Sequence, residues 1–181
     1  MKERLTEASE RARKNPNRER VVEKAKALAA EFLEREISML TNRIENHPQD
    51  MKLKMELAER HRKQKNFKLA IPLLQQATKD TRLQNAALVK LGECFVRTGQ
   101  MSLGKRQFDK ALEALTSQDN PDEFKLAHYF LGRLNEKAEN NDQAEYHYGE
   151  ILGVDWEYKD VQKRHSDLQG GEDEFGDFDD L

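Results

Sequence analysis

Apolar residues recur at helical spacing along most of this chain, and strict strand-type alternation is nowhere sustained. Over residues 18–46, Val22, Ala25, Ala29, Phe32, Leu40 and Ile44 stand three, four or eight positions apart with no Gly or Pro between them. A stripe of that period marks one face of a long helix, and Pro48 in the NHPQD turn ends it. Residues 1–14 predict another helix, separated from the long one by Asn15-Pro16-Asn17. Three or four sustained heptads, which a dimerising coiled coil would need, are missing.

Beyond residue 50 the pattern repeats itself. Three segments align on a small residue that follows a leucine: Leu57-Ala58, Leu91-Gly92 and Leu131-Gly132. The small residues are 34 and then 40 positions apart, and the excess of six matches the turn-rich SQDNPD stretch at 117–122. Twelve residues after each comes a second small residue, Ala70, Gly104 or Ala144, and four further on a large one, Leu74, Phe108 or Tyr148. Ala77, Ala111 or Ile151 follows three positions later. Small residues let two helices of a hairpin cross closely, and the large side chain fills the space beside the crossing. Lys65-Asn66, Thr98-Gly99 and Asn140-Asn141 are the expected turns between paired helices. Asp50 and Asp142 are the expected N-caps, and Pro72 falls within a helix, where it removes one hydrogen bond.

This 34-residue helix-turn-helix period, with small, small, large and small residues at those offsets, resembles the tetratricopeptide repeat (TPR). The resemblance covers about residues 51–152 and implies an all-α fold: a right-handed α-α superhelix of about three hairpins, behind a long N-terminal helix and ahead of a C-terminal capping helix. The array is also similar to the C-terminal part of longer bacterial repeat proteins. It departs from the family pattern at Lys54 and His128, where Trp or Leu is usual, and at His61 and Asn135, where an aromatic is usual. The closing Pro is replaced by Arg82, Thr116 and Trp156.

The flanks complete the organisation. Residues 1–17 form a charged segment and 18–48 the long helix, whose last part (EISMLTNRIENHP) reads as the second helix of a degenerate repeat. Residues 49–169 make the repeat domain with its capping helix, drawn from GVDWEYKDVQKRHSDL with Trp156, Tyr158, Val161 and Leu168 as covering side chains. Residues 170–181 form an acidic tail whose composition favours disorder. Its last ten residues hold Glu172, Asp173, Glu174, Asp177, Asp179 and Asp180, interleaved with Phe175, Phe178 and Leu181.

Charge changes the picture only in its distribution. The net charge of −3 hides 17 Lys and Arg against 12 acids in residues 1–66 and 14 against 22 in residues 67–181. The basic half alternates Lys and Arg with Glu, as in EKAKALAAEFLEREI, which makes a salt-bridged helix surface rather than a stripe that tracks phosphates; nucleic acid is not expected as a partner. No apolar run reaches the roughly 20 residues that span a bilayer, and the first residues lack a signal-peptide core, so a cytoplasmic location is expected. A single cysteine, Cys94, excludes an internal disulfide and sits within an apolar helical pattern, where a thiol acts as a small hydrophobe.

Catalytic and cofactor chemistry is not legible. Glycine-rich phosphate loops are absent, and none of His47, His61, His128, His147 and His165 pairs at the spacing of a helical metal site. His128 and His147 fall on the two helices of one hairpin and can meet there. No cofactor, no metal and no enzymatic activity are expected. The resemblance instead implies a protein-binding scaffold whose first helices line a concave face. By position that face holds Met55, Glu59, Arg62 and Lys63 from the first repeat, Val89, Lys90, Glu93, Val96 and Arg97 from the second, and Tyr129, Phe130, Arg133, Glu136 and Lys137 from the third. The mixture suits a protein or peptide partner that carries acids and an apolar anchor. Repeats that clamp a chaperone's C-terminal carboxylate use Lys, Asn and Arg at offsets that here carry Met55, Glu59, Lys90, Leu126 and Phe130, so no chaperone clamp is implied. The alternative is a structural subunit that self-assembles through the N-terminal helix or the acidic tail.

Overall fold

Each segment with a helical apolar period forms a helix in the computed structural model, which describes residues 2–14 and 19–169. In chain order these are α1 (Lys2–Lys14), α2 (Glu19–Asn46), α3 (Met51–Lys63), α4 (Phe67–Ala77), α5 (Gln84–Arg97), α6 (Met101–Leu112), α7 (Pro121–Lys137), α8 (Asn141–Leu152) and α9 (Val161–Leu168). Among the described residues there is no strand. The chain divides into two units, Met1–Leu83 and Gln84–Leu181. The acidic tail of residues 170–181 lies outside the described residues, as does the Asn15-Pro16-Asn17 break.

In the first unit, consecutive helices pack α1 on α2, α2 on α3 and α3 on α4. Leu40 of α2 is buried with Leu53 and Leu57 of α3, and Ile37, Ile44 and Leu73 close around them. The C-terminal half of α2 thus serves as the helix before the first hairpin. Arg60 reaches across to Glu36 at 3.2 Å. Asp50 caps α3, its carboxylate accepting from the backbone N–H of Lys52 at 2.9 Å and of Leu53 at 3.1 Å. Ala58, Ala70 and Leu74, the small, small and large positions, are completely buried. Pro72 lies inside α4 on its exposed side, where the carbonyl it leaves unbonded can be hydrated.

The second unit pairs α5 with α6, α7 with α8 and α8 with α9. Its small positions are set by contact: a Cβ placed on Gly92 would stand 2.7 Å from the Phe108 ring, and one on Gly132 would stand 2.5 Å from the Tyr148 ring. At Gly104 the obstacle is Val96, at 2.6 Å. Phe108 stacks on Phe130 with 5.2 Å between ring centroids and joins Leu88, Val89, Ala111, Leu115, Phe124, Ala127 and Leu131 in one core cluster. Ala144, Tyr148, Ile151 and Val161 form a second cluster that seats α9 on α8. The capping helix is shorter than expected. Residues 153–160 run as turns, α9 begins only at Val161, and Trp156 is 65% exposed instead of covering the hairpin.

One closure is used at the end of α3, α5 and α7. Lys65, Gly99 and Glu139 adopt left-handed backbone with φ of 61°, 83° and 58°. The next residue in each turn donates its N–H five residues back, Asn66 to His61, Gln100 to Phe95 and Asn140 to Asn135, at 2.8, 2.8 and 3.0 Å. This is the Schellman arrangement, which satisfies the last carbonyls of a helix. The left-handed residue of the third turn is therefore Glu139, just before the expected Asn140-Asn141 pair. Asp142 falls in the first turn of α8 rather than at its N-cap, which is Asn140.

Candidate functional site

The apolar and basic stripe of α7 decides where a surface can accept a ligand. Leu126, Tyr129, Phe130, Arg133, Leu134 and Lys137 follow one another at three- and four-residue steps, so they share a helix face. On α5, Glu93, Val96 and Arg97 do the same. With Met101 and Lys159 these residues enclose a groove of about 510 Å³ within the second unit. Four of its side chains carry a positive charge and one, Glu93, a negative one.

The groove floor is aromatic and pre-ordered. Phe130 is buried and held by the stack on Phe108. Tyr129 donates its hydroxyl hydrogen to Asp160 at 2.9 Å and accepts from Arg133 Nη1 at 3.2 Å. Lys159, placed by a left-handed backbone (φ 51°), sets its ammonium 4.0 Å from the Tyr129 ring centroid and 4.6 Å from that of Tyr158. Two rings facing one cation compensate part of its lost hydration, although burial still pulls the Lys159 pKa below the ordinary lysine value. The turn before α9 is tied down by Lys125, which bonds Asp155 at 2.8 Å and holds the Asp155 carboxyl below its usual range.

Arg97 lies 3.6 Å from Glu93, with its side chain 56% exposed. Glu93 is only 14% exposed, but the Arg97 side chain is open to solvent and the 3.6 Å contact is long, so Arg97 can also reach a ligand carboxylate. Glu136 turns away from the groove: it accepts the Tyr148 hydroxyl at 2.6 Å and Arg164 Nη1 at 2.8 Å, joining α7, α8 and α9. Burial raises the Tyr148 pKa well above that of a free phenol, and the Glu136 carboxylate adds to it.

The sequence-derived positions divide accordingly. Glu93, Arg97, Tyr129, Phe130, Arg133 and Lys137 come together around the groove, as does Val96. Val89 does not present a surface: at 1% exposure it lies in the core cluster, one turn before Glu93 on the same side of α5. Lys90 is half-buried and outside the groove lining. Arg62 and Lys63 belong to the first unit, where Arg62 pairs with Glu59 and Lys63 is exposed. Sequence reading missed Leu134, Lys159 and Met101, and took Leu126 only as a clamp offset. Lys159 follows the last repeat, where no repeat position exists to point to it; Met101 opens α6, a second helix that the concave-face rule leaves out.

His128 and His147 do meet. Their Nδ1 atoms are 3.1 Å apart inside the α7–α8 hairpin, so one ring donates and the other accepts. Both are buried, which lowers each pKa to about 4, with the partner ring adding to the shift at His128 and Lys105 adding to it at His147. Among the described residues no cluster of three or more His, Cys, Asp or Glu side chains could hold a metal, and no helix is long and apolar enough to cross a membrane.

An all-α protein built of stacked helical hairpins, with a basic and aromatic groove on the first helices of two of them, is the class that fold and site define. A solved structure of MamA, a TPR-like protein ("MamA RS-1 ArsTM double mutant"), superposes with a TM-score of 0.60 at 20% identity, over 87% of this chain and 88% of that one. At that identity the likeness fixes the fold as a TPR-type helical repeat. No family model matches the sequence, and no curated protein matches it significantly.

Proposed function

We propose that this chain is a non-enzymatic protein-interaction scaffold whose second unit binds an acidic peptide segment with an aromatic or aliphatic anchor. The observation that carries this reading is the groove between α5 and α7, where Arg97, Arg133, Lys137 and Lys159 surround an aromatic floor. Carboxylates would pair with the guanidinium and ammonium groups at the rim, and an apolar side chain would rest on Tyr129, Phe130 and Leu134. Preordered rings lower the cost of binding, because little side-chain freedom is lost on contact.

Selection from a library of displayed ten-residue peptides tests this directly. Peptides that combine several Asp or Glu with one or two Phe, Leu or Ile residues should be enriched. Their affinity should fall at least tenfold in the variant Arg97→Glu, Arg133→Glu, Lys137→Glu, and should also fall as salt rises. Enrichment without acidic bias, or binding untouched by the three charge reversals, would overturn the assignment.

Self-association is the second reading, favoured by the opposite charge of the chain's two halves. It requires a mass that increases with concentration in light scattering and decreases in high salt. A monomer at every salt concentration excludes it.

A further inference from the structure

Resting on that reading of the groove, we propose that its resident ligand is the chain's own C-terminal segment, EDEFGDFDDL (residues 172–181), bound in cis and displaced by outside partners. Three observations support this. Charge is complementary: the segment holds six acids and no base, against four cations and one carboxylate around the groove. Apolar anchors are present in Phe175, Phe178 and Leu181, three residues apart, opposite a floor formed by Leu126, Tyr129, Phe130 and Leu134.

Position is the third. Arg164 of α9 bonds Glu136 at 2.8 Å, and Glu136 is the chain neighbour of Lys137 at one end of the groove. Five residues later Gln169 bonds Glu145 of α8 at 2.7 Å, so the chain leaves α9 close to the α7–α8 turn. From there residues 170–181 can extend over about 40 Å. The groove side of α7, from Leu126 to Lys137, is only about 17 Å long. Gly170-Gly171 accept whatever turn the path requires. A path from the turn along α7 meets Lys137 first, then Arg133, with Lys159 and Arg97 at the flanks.

Tethering makes a weak contact effective. At an effective concentration of about 1 mM, a segment with an intrinsic dissociation constant of about 0.1 mM weakens an outside competitor roughly tenfold. The scaffold would therefore discriminate against peptides no better than its own tail.

The test uses full-length protein and a fluorescent peptide of residues 170–181, followed by anisotropy. A second full-length chain carries Phe175→Ser, Phe178→Ser, Leu181→Ser and Asp→Asn at positions 177, 179 and 180. The peptide should bind this altered chain at least tenfold more tightly than the natural one, and adding Arg133→Glu and Lys137→Glu should abolish binding. Equal affinity for both chains would overturn occupancy in cis, as would no binding to an altered chain whose circular dichroism is native. Light scattering that finds the natural chain dimeric, and the altered one monomeric, would assign the tail to a second copy and overturn the cis contact. Library peptides that bind the altered chain while the tail peptide does not would sink this inference and leave the groove intact. If neither binds, the groove reading falls as well.

Discussion

A missing methyl group governs the packing of the α7–α8 hairpin. Gly132 lies under Tyr148, whose ring would stand 2.5–2.9 Å from an added Cβ. The ring has nowhere to go: it is fully buried, and its hydroxyl is anchored on Glu136. Alanine at 132 would gain about 1 kcal/mol of helix propensity and lose roughly 1–3 kcal/mol to overpacking. Gly132→Ala should therefore lower stability by up to about 2 kcal/mol in urea unfolding. Gly149→Ala in α8 is the control, since the nearest atom to its added Cβ is 3.9 Å away. There the propensity gain should survive and stability should rise by up to about 1 kcal/mol. Equal responses at the two sites would mean that the aromatic ring does not require glycine at 132.

At the scale of the element, the helices and their pairing were legible because burial leaves a period behind. Small, small and large residues at fixed offsets predict the crossings that Gly92–Phe108 and Gly132–Tyr148 make. The ends were less legible. The left-handed positions 65, 99 and 139 keep the same spacings of 34 and 40 residues, yet only Gly99 announces itself by type. Lys65 and Glu139 adopt the same conformation because the five-residue-back hydrogen bond demands it, so Asn140-Asn141 drew attention to the wrong side of the turn. Val89 was misplaced for a related reason. Position within a repeat reports the helix face, but depth along that face depends on where α5 meets α7, which periodicity does not encode. The strain at 139 predicts a gain: Glu139→Gly should stabilise the chain by up to about 1 kcal/mol, as the Cβ penalty of a left-handed residue disappears. Loss of stability in denaturant melts would indicate that the Glu139 side chain contributes more than its backbone costs.

Stability of the whole molecule against pH should be set first by two buried rings, not by its many surface ion pairs. His128 and His147 share one hydrogen bond between Nδ1 atoms, and burial lowers both pKa values from 6.5 to about 4. Lys105 is the charged group that faces His147, while Phe124 and Tyr146 flank His128. A histidine whose folded pKa is depressed binds more protons when unfolded. Its contribution is complete above pH 6.5 and is lost as the pH falls from there towards 4. The two rings share one hydrogen bond and titrate as a pair, so the loss belongs to the pair and amounts to roughly a few kcal/mol by pH 4. Asp155 and Asp160, also depressed but by Lys125 and Arg164, act in a separate window: their contribution is present above 3.8 and lost below it. Urea midpoints should therefore fall between pH 6.5 and 4. In the double variant His128→Leu, His147→Leu, which restores at 128 a residue type usual in such repeats, the fall over that range should be much smaller, with His61, whose pKa burial also lowers, left to contribute. A variant that retains the full slope between 6.5 and 4 would show that the acid sensitivity arises elsewhere, and the buried histidine pair would then be a packing feature with no titration of its own.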